Sequence, residues 1–506
     1  MILKGLLMAS KYDYSKPIHL WLTTDSKEYT SLVTKLLDII EVELKTSLGI
    51  TRFRKQDHSK ALFHILADLF VTYTADNKRY LAFSRDRLWY SKGTRYQPKD
   101  FAFKPFIRVV DALDSLGYIE STKGFQDLRT GVNRKARMIA TDKLATLFSN
   151  RKLTPANFYQ LHTKESIILK SPKDAQGNKQ LLDYEDTPET QLMRENLKLI
   201  NDNIGKQWID LKITDKQFEE LQDKLSKSKD KQKLPVDFTK TSQVRIFNNG
   251  IADNPQFNQG GRFYGGWWLS IPSAYRSRIR INGKKTIELD YSAMHFYMMY
   301  AEKGLVVPDG DPYVLDNIDR KKAKLALNTA LNAPNKENAI SSIKANHWPN
   351  KTKIEVTNTL DKLLAKHKAI SEFFYTGKGV ALQFKDSQVA ELVMLNMWNK
   401  HGAIVLPVHD SFIVSAAFYD TLKAEMLIAF NNITGYKAKL KASEADEILK
   451  SDLDKLAQNI EYDDSGKLTK VGVNAADTWE AYKKDKDIYS GYLSRKFDRE
   501  CINKVI

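Results

Sequence analysis

One aspartate marks a change of period that few folds accommodate. In residues 285–304, KTIELDYSAMHFYMMYAEKG, a β-branched and apolar run of Thr286, Ile287 and Leu289 stops at Asp290, and Met294, Tyr297, Met298 and Ala301 then recur at helical spacing. A strand passing into a helix here leaves the Asp290 carboxylate at the mouth of the junction, with Glu288 on the same strand face. Far along the chain, Ile404 to Ser415, IVLPVHDSFIVS, reads as two short strands meeting at His409 and Asp410, which sets a second carboxylate on a hairpin tip. Together the two patterns predict a fold in which both tips converge and hold divalent metal.

Charge narrows the partners. Across 506 residues, 79 Lys+Arg against 62 Asp+Glu leave a net charge of +17, spread along the chain instead of confined to a tail. Polyanion binding follows, nucleic acid ahead of anionic lipid because no basic amphipathic anchor stands out; simple solubility explains the charge equally well. A single cysteine, Cys501, excludes an intramolecular disulfide framework and zinc sites built on cysteine pairs. The N-terminal apolar run is too short for a signal-peptide core, and no stretch approaches the roughly 18 to 20 apolar residues of a membrane span. A cytoplasmic protein with no membrane partner is expected.

At roughly 150 residues per domain the chain has room for about three. Residues 1–56 read as a lead-in with a strand at His19–Leu22 and a helix at Ser31–Leu48. Residues 57–149 have a more specific order: a helix through Leu62, Ile65, Leu66, Leu69 and Phe70, and a second from Lys104 to Leu116 capped by Gly117. A strand at Tyr118–Thr122, a basic turn from Lys123 to Asn133, a return strand at Arg134–Ala140 and a last helix at Thr141–Phe148 follow. Helices followed by a two-stranded wing predict a winged-helix DNA-binding domain. Helix Lys104–Leu116 would enter the major groove, and Lys123, Arg129, Arg134, Lys135 and Arg137 of the wing would meet phosphates. The same pattern also serves protein–protein modules. Residues 150–245 carry helical patterns at Pro188–Ile204 and Thr214–Ser226 and then the run DKLSKSKDKQK, either a solvated linker or a thumb-like element that tracks phosphates.

From about residue 246 to 440 the character changes. Gly265 and Gly266 precede Trp267 and Trp268, and Arg276, Arg278 and Arg280 alternate along what reads as a strand. Aromatics beside arginines suit stacking and backbone contacts to nucleic acid, and suit a core edge as well. Gly261-Arg262-Phe263 with Ile271-Pro272, then Asp290-Tyr291-Ser292, then Arg320, Lys324, Asn328 and Asn332 at four-residue steps, then Gln383 to Val393, then Val408-His409-Asp410-Ser411-Phe412 occur in a fixed order.

In that order these segments resemble the family A nucleic-acid polymerases, which join DNA polymerase I-type enzymes to single-subunit phage-type RNA polymerases. The resemblance covers roughly residues 260–415. It implies an α+β fold, a right-hand polymerase palm with reduced fingers, preceded by a winged-helix domain and a helical region. It further implies that Asp290 and Asp410 are catalytic and bind two Mg²⁺ ions, or Mn²⁺, with the backbone carbonyl of Tyr291, and that Arg320, Lys324, His295 and Asn328 face an incoming nucleotide. Arg262, Arg276, Gln383 and His409 would contact nucleic acid. Independently of the family, nucleotidyl transfer needs an activated 3′-hydroxyl and a neutralised pyrophosphate, two tasks that paired divalent ions perform and that hard carboxylate ligands suit. Arg320 and Lys324, one helical turn apart, can both face a triphosphate.

The departures from the family pattern are specific. His295 stands where its DNA polymerases carry a glutamate that excludes the ribose 2′-hydroxyl; a large ring there still favours deoxynucleotides, whereas the His-Asp-Ser form of the last motif is that of the phage-type RNA polymerases. Asn328 and Asn332 replace the aromatics expected on the fingers helix, and no proofreading exonuclease is recognisable. After the last motif, Leu422–Thr434 reads as a closing helix with Met426 and Phe430 inward, and residues 441–506 as a helical tail through Glu444–Asn459 and Ala475–Lys484.

The expected function is template-directed nucleotidyl transfer from nucleoside triphosphates. DNA synthesis is favoured and RNA or primer synthesis stands close behind, in replication of a phage, plasmid or other mobile element. The competing readings are a winged-helix replication initiator or regulator on a catalytically inactive palm, and a metal phosphohydrolase. Asp290 as a plain helix N-cap, and His409-Asp410 as a plain turn pair, remain open at this level.

Overall fold

The computed structural model describes residues 15–442 except 92–93, 97–100, 128–131, 151–152, 154–156, 161–163, 173, 175–178, 229–234, 239, 249, 252–253 and 316–317, and also a strand pair at 461–462 and 468–470. The architecture is α+β, built on two hydrophobic cores.

The first core lies under a four-stranded sheet. Strand β1 (Lys16–Pro17) pairs parallel with β2 (Leu81–Phe83), which pairs antiparallel with β4 (Ala136–Ala140), itself paired with β3 (Ile119–Thr122). Helices α1 (Lys27–Thr46), α2 (Lys55–Ala75), α3 (Phe103–Ser115) and α4 (Asp142–Ser149) supply the other layer. Ser26 caps α1 by accepting from the Tyr29 N–H at 3.2 Å, satisfying one of the donors a helix start leaves unpaired. Leu32, Leu36, Leu37, Ile40 and Leu44 face inward, whereas Ile39 and Val42, at spacings that also suit the helix, are exposed. The lead-in of residues 1–56 is therefore not separate: α1 shares one core with α2 and α3.

Between β3 and β4 the chain continues as a short antiparallel pair, Phe125–Asp127 with Val132–Arg134. Gly124 is required at its base, since a Cβ there would lie 2.5 Å from the Arg134 carbonyl oxygen.

The second core takes in residues on both sides of the expected boundary at 245. The 150–245 region contributes β5 (Ile167–Leu169), α5 (Pro188–Gly205), β6 (Ile209–Leu211) and α6 (Asp215–Ser226), so it is neither wholly helical nor a linker. Strand β5 pairs with β7 (Val244–Phe247), and β7 pairs with β8 (Gly260–Tyr264). Strand β6 forms the edge of the main antiparallel sheet, next to β9 (Ile279–Ile281) and then β10 (Lys284–Tyr291). Following β10 come α7 (Met294–Glu302), α8 (Arg320–Asn332), α9 (Lys336–Asn346), α10 (Lys353–Lys366) and α11 (Gly379–His401). The chain returns as β11 (Leu406–Val408) and β12 (Ser411–Ser415), crosses the sheet in α12 (Tyr419–Thr434) and ends in β13 (Leu440–Ala442). β12 inserts beside β10, with β11 at the far edge, and β13 pairs with the last residues of β10.

Ser411 to Val414 of β12 are buried without alternation, as a central strand covered on both faces requires. Met426 and Phe430 of α12 are fully buried. In α7 the inward residues are Met294, Phe296, Met298, Met299 and Tyr300, while Tyr297 is only half-buried. Arg276 and Arg278 are not in a strand: Arg276 closes a one-turn helix, Ser273–Arg276, and only Arg280 belongs to β9, where it is buried and donates to the carbonyls of Ser277 and Ile279. The expected tail helices, Glu444–Asn459 and Ala475–Lys484, lie outside the described residues.

Candidate active site

Backbone pairing brings the two aspartates together. Asp290 lies opposite Ser411 in the β10–β12 register, and the Tyr291 N–H donates to the Asp410 carbonyl at 3.2 Å. Each strand end carries a distortion that sends its chain away from the sheet. Ala293 adopts a left-handed conformation (φ 52°) before α7, and His409 does so (φ 61°) in the turn between β11 and β12. Asp290 is thus the end of a strand, three residues before the left-handed N-cap position of α7, and not the cap itself.

The electrostatics of the pair are unfavourable without a cation. Burial, and then the Asp410 carboxylate, push the Asp290 carboxyl up to about 7, while Lys324 and Arg276 pull against them. Glu288 contributes in the same sense as Asp410. Its carboxylate is already occupied, accepting from Arg276 and from the Ser411 hydroxyl. Among the described residues no group of three or more His, Cys, Asp and Glu side chains converges as a metal cage. Two carboxylates with hard oxygen donors fit magnesium, which keeps waters and substrate oxygens in its shell, better than zinc, which wants a closed set of protein ligands.

A second cluster adjoins the first. Asp386, on α11 and 2% exposed, accepts from the Arg262 guanidinium through both of its oxygens, with Nε at 3.1 and 3.0 Å, and lies 2.9 Å from His295 Nε2. Arg262 in turn feels the Asp410 charge. Its strand β8 approaches α11 closely because Gly261 (φ 80°) has no Cβ, which would sit 2.7 Å from the Phe247 ring and 2.9 Å from Ser387 Oγ. Asp386 was missed in the sequence because a lone acid in an otherwise amphipathic helix reads as a solvent-facing residue; only its i+3 relation to Gln383 placed it near a residue already selected. Gln383 itself is half-buried on the same helix.

His409 is largely shielded, with its ring 6.0 Å from that of Tyr264. Burial, and then Arg262, hold its pKa below the ordinary imidazole range, and its Nδ1 is unpaired among the described residues. A neutral ring with an open nitrogen results.

Helix α8 buries Ala323, Ala326, Leu327, Ala330 and Leu331 and turns its basic residues outward. Lys324 reaches the electrostatic field of Asp290 and lies 5.8 Å over the Tyr313 ring. Arg320 is at 5.4 Å from the same ring, with its Nε 2.6 Å from Asp311. Tyr313, 4% exposed, was not selected from the sequence, yet burial and the Asp410 charge both raise its phenol. Asn328 is half-buried, and Asn332 donates to the Asn328 carbonyl at 2.8 Å, so the Asn332 amide serves the helix itself.

The two tryptophans are core. Trp267 and Trp268 are 2% and 0% exposed, and Trp268 Nε1 donates to the Pro407 carbonyl at 3.1 Å, so neither offers a stacking face. In the first core, Lys104 and Lys123 and Lys135 are exposed and Arg134 half-buried; Arg129 lies outside the described residues. The outer face of α3 also holds two acids, Asp111 against Arg85 at 2.5 Å and Asp114 accepting from the Ser121 N–H at 2.8 Å.

Compared with protein families and with curated proteins, the chain matches none. Among the described residues no helix is long and apolar enough to cross a membrane.

Proposed function

We propose that this chain is a template-directed nucleotidyltransferase with a polymerase-type palm, tethered to a winged-helix module that binds duplex DNA. The observation that carries the proposal is the juxtaposition of Asp290 and Asp410 on hydrogen-bonded neighbouring strands, within the field of Lys324 from a separate helix. Two Mg²⁺ ions held by Asp290, Asp410 and the Tyr291 carbonyl would activate a 3′-hydroxyl and neutralise the pyrophosphate that leaves.

The remaining work belongs to the chain's own groups. Lys324 balances the anionic nucleotide, and Arg276 and Arg262 supply further positive field toward the carboxylates. Asp386 holds His295 and Arg262 in fixed orientation at the edge of the site. DNA synthesis is the favoured reaction because the His295 ring stands where a sugar 2′-hydroxyl would be crowded. The helices α8, α9 and α10 are read as short fingers, and α3 with the basic residues of the β3–β4 connection as the DNA-reading surface.

A second reading, a DNA-binding replication initiator or regulator with an inactive palm, is favoured by one observation: Arg320 is engaged by Asp311 instead of facing the carboxylates. Extension of a labelled primer–template, and of bare single-stranded template, with dNTPs and with NTPs separates the two. The enzyme reading expects elongation by the parent protein and none by Asp290→Ala or Asp410→Ala, with duplex binding retained. Absence of growth under every condition, with duplex binding intact in all three proteins, would establish the second reading.

A further inference from the structure

The seam between the two cores holds a charge cluster that the carboxylate site does not use. Lys16 Nζ lies 2.7 Å from Asp68 and 3.8 Å from Asp237, and Lys240 Nζ lies 3.8 Å from Asp237. Lys16, Asp68, Arg79 and Asp237 are all less than a tenth exposed. Lys164 and Arg79 act on the same cluster: Lys164 with Lys16 and Lys240 holds the buried His19 down once burial has acted, and Arg79 opposes the charge on Lys240. Four basic side chains thus surround two carboxylates in a poorly hydrated seam, and the positive charge is in excess.

Lys164 is where the excess reaches open space. It has no hydrogen-bond or ion-pair partner among the described residues, and burial, then Lys240, push its ammonium down to about 8. With Arg194, Lys198, Asn201, Ser242 and Gln243 it lines a cavity of about 280 Å³ between α5 and the start of β7. Arg194 is neutralised by Glu165 and Asp186, and Lys198 by Asp202. Asn201 clamps the Gln243 backbone, donating to its carbonyl at 2.9 Å and accepting from its N–H at 2.8 Å. Gln243 is 1% exposed, yet neither its amide nitrogen nor its amide oxygen has a partner among the described residues. A buried amide left unpaired is costly, and such groups mark positions completed by something other than the chain.

We propose that this cavity binds a phosphate monoester, with Lys164 as its counter-charge and Gln243 and Ser242 as polar contacts. A dianion matches the excess of positive charge, and the volume, just under the range of small-ligand pockets, takes a phosphate and a sugar but not a duplex. A free mononucleotide and the 5′-phosphate end of a nucleic-acid strand present the same chemistry.

The test is calorimetric titration of the full-length protein with AMP, and with a short single strand carrying either a 5′-phosphate or a 5′-hydroxyl, on parent, Lys164→Gln, Lys164→Arg and Lys198→Gln. Saturable binding of AMP or of the 5′-phosphorylated strand is expected, weakened at least 10-fold in Lys164→Gln and largely retained in Lys164→Arg and Lys198→Gln. Binding by AMP would identify a nucleotide site, and binding by the phosphorylated strand alone an end-binding site. Equal affinity in parent and Lys164→Gln, or no saturable binding of any probe at 10 mM, would overturn the assignment. Removing an uncompensated cation should leave the ligand-free melting temperature unchanged or higher, so failure of Lys164→Gln to fold would overturn it too. Asp290→Ala should bind the same probes unchanged, which keeps this site's failure distinct from failure of the polymerase reading.

Discussion

Replacing Asp386 with alanine leaves the Arg262 guanidinium, only 18% exposed, without its anion and frees His295 from its partner. Hydrogen bonds to charged groups each contribute about 1.5–3 kcal/mol, and stranding one member of a buried pair costs roughly 3–5 kcal/mol. For a core of this size each kcal/mol shifts the melting temperature by about 2–4 °C, so the expected fall is on the order of 10 °C. Differential scanning calorimetry should show it in the transition of the second core alone, because Asp386 has no contact with the first. The double variant Asp386→Ala with Arg262→Met should recover much of the loss, since it removes the orphaned charge. A fall below about 2 °C in the single variant, or a double variant less stable than the single, would refute the claim that this pair braces β8 against α11.

Acid should act on the first core through His64. Its Nδ1 lies 2.9 Å from the Leu22 carbonyl, and burial pushes its pKa down to about 4. The unfolded chain therefore binds the proton first, so stability is full above about 6.5 and is lost as pH falls toward 4; His64→Gln should flatten that slope in circular dichroism melts. Asp290 has the opposite sign: with a carboxyl raised to about 7, the metal-free fold loses stability as pH rises from about 4 to 7, and Asp290→Asn should remove that loss. Mg²⁺ should then raise the melting temperature more at pH 8 than at pH 6, and an equal rise at both would count against the carboxylate pair as its ligands. Trp268→Ala, which opens a hole behind β11, should cost about 3–5 kcal/mol in denaturant titration.

Much of the site could be read before any coordinates, for a local reason. Asp290 and Asp410 lie at breaks in short-range patterns, a strand giving way to a helix and a strand to a turn, and such breaks are written in neighbouring residues. Helix α8, with Arg320 and Lys324 one turn apart on its outer face, is legible in the same way. What local pattern could not supply was the partner of each group. Asp386 and Tyr313 looked ordinary until α11 and the loop before α8 carried them to Arg262, Lys324 and the carboxylates. The tryptophans looked like stacking platforms until β11 covered them. The boundaries expected at residues 56 and 245 dissolved for the same cause: burial belongs to cores, and α1 and β6 pack with elements that follow them at long range. By itself the sequence determined where carboxylates stand at element ends, because backbone propensity acts over a few residues. Which charges face one another, and which are left facing a cavity, was decided only by the tertiary structure, because Coulomb interaction and desolvation depend on distance through space and not along the chain.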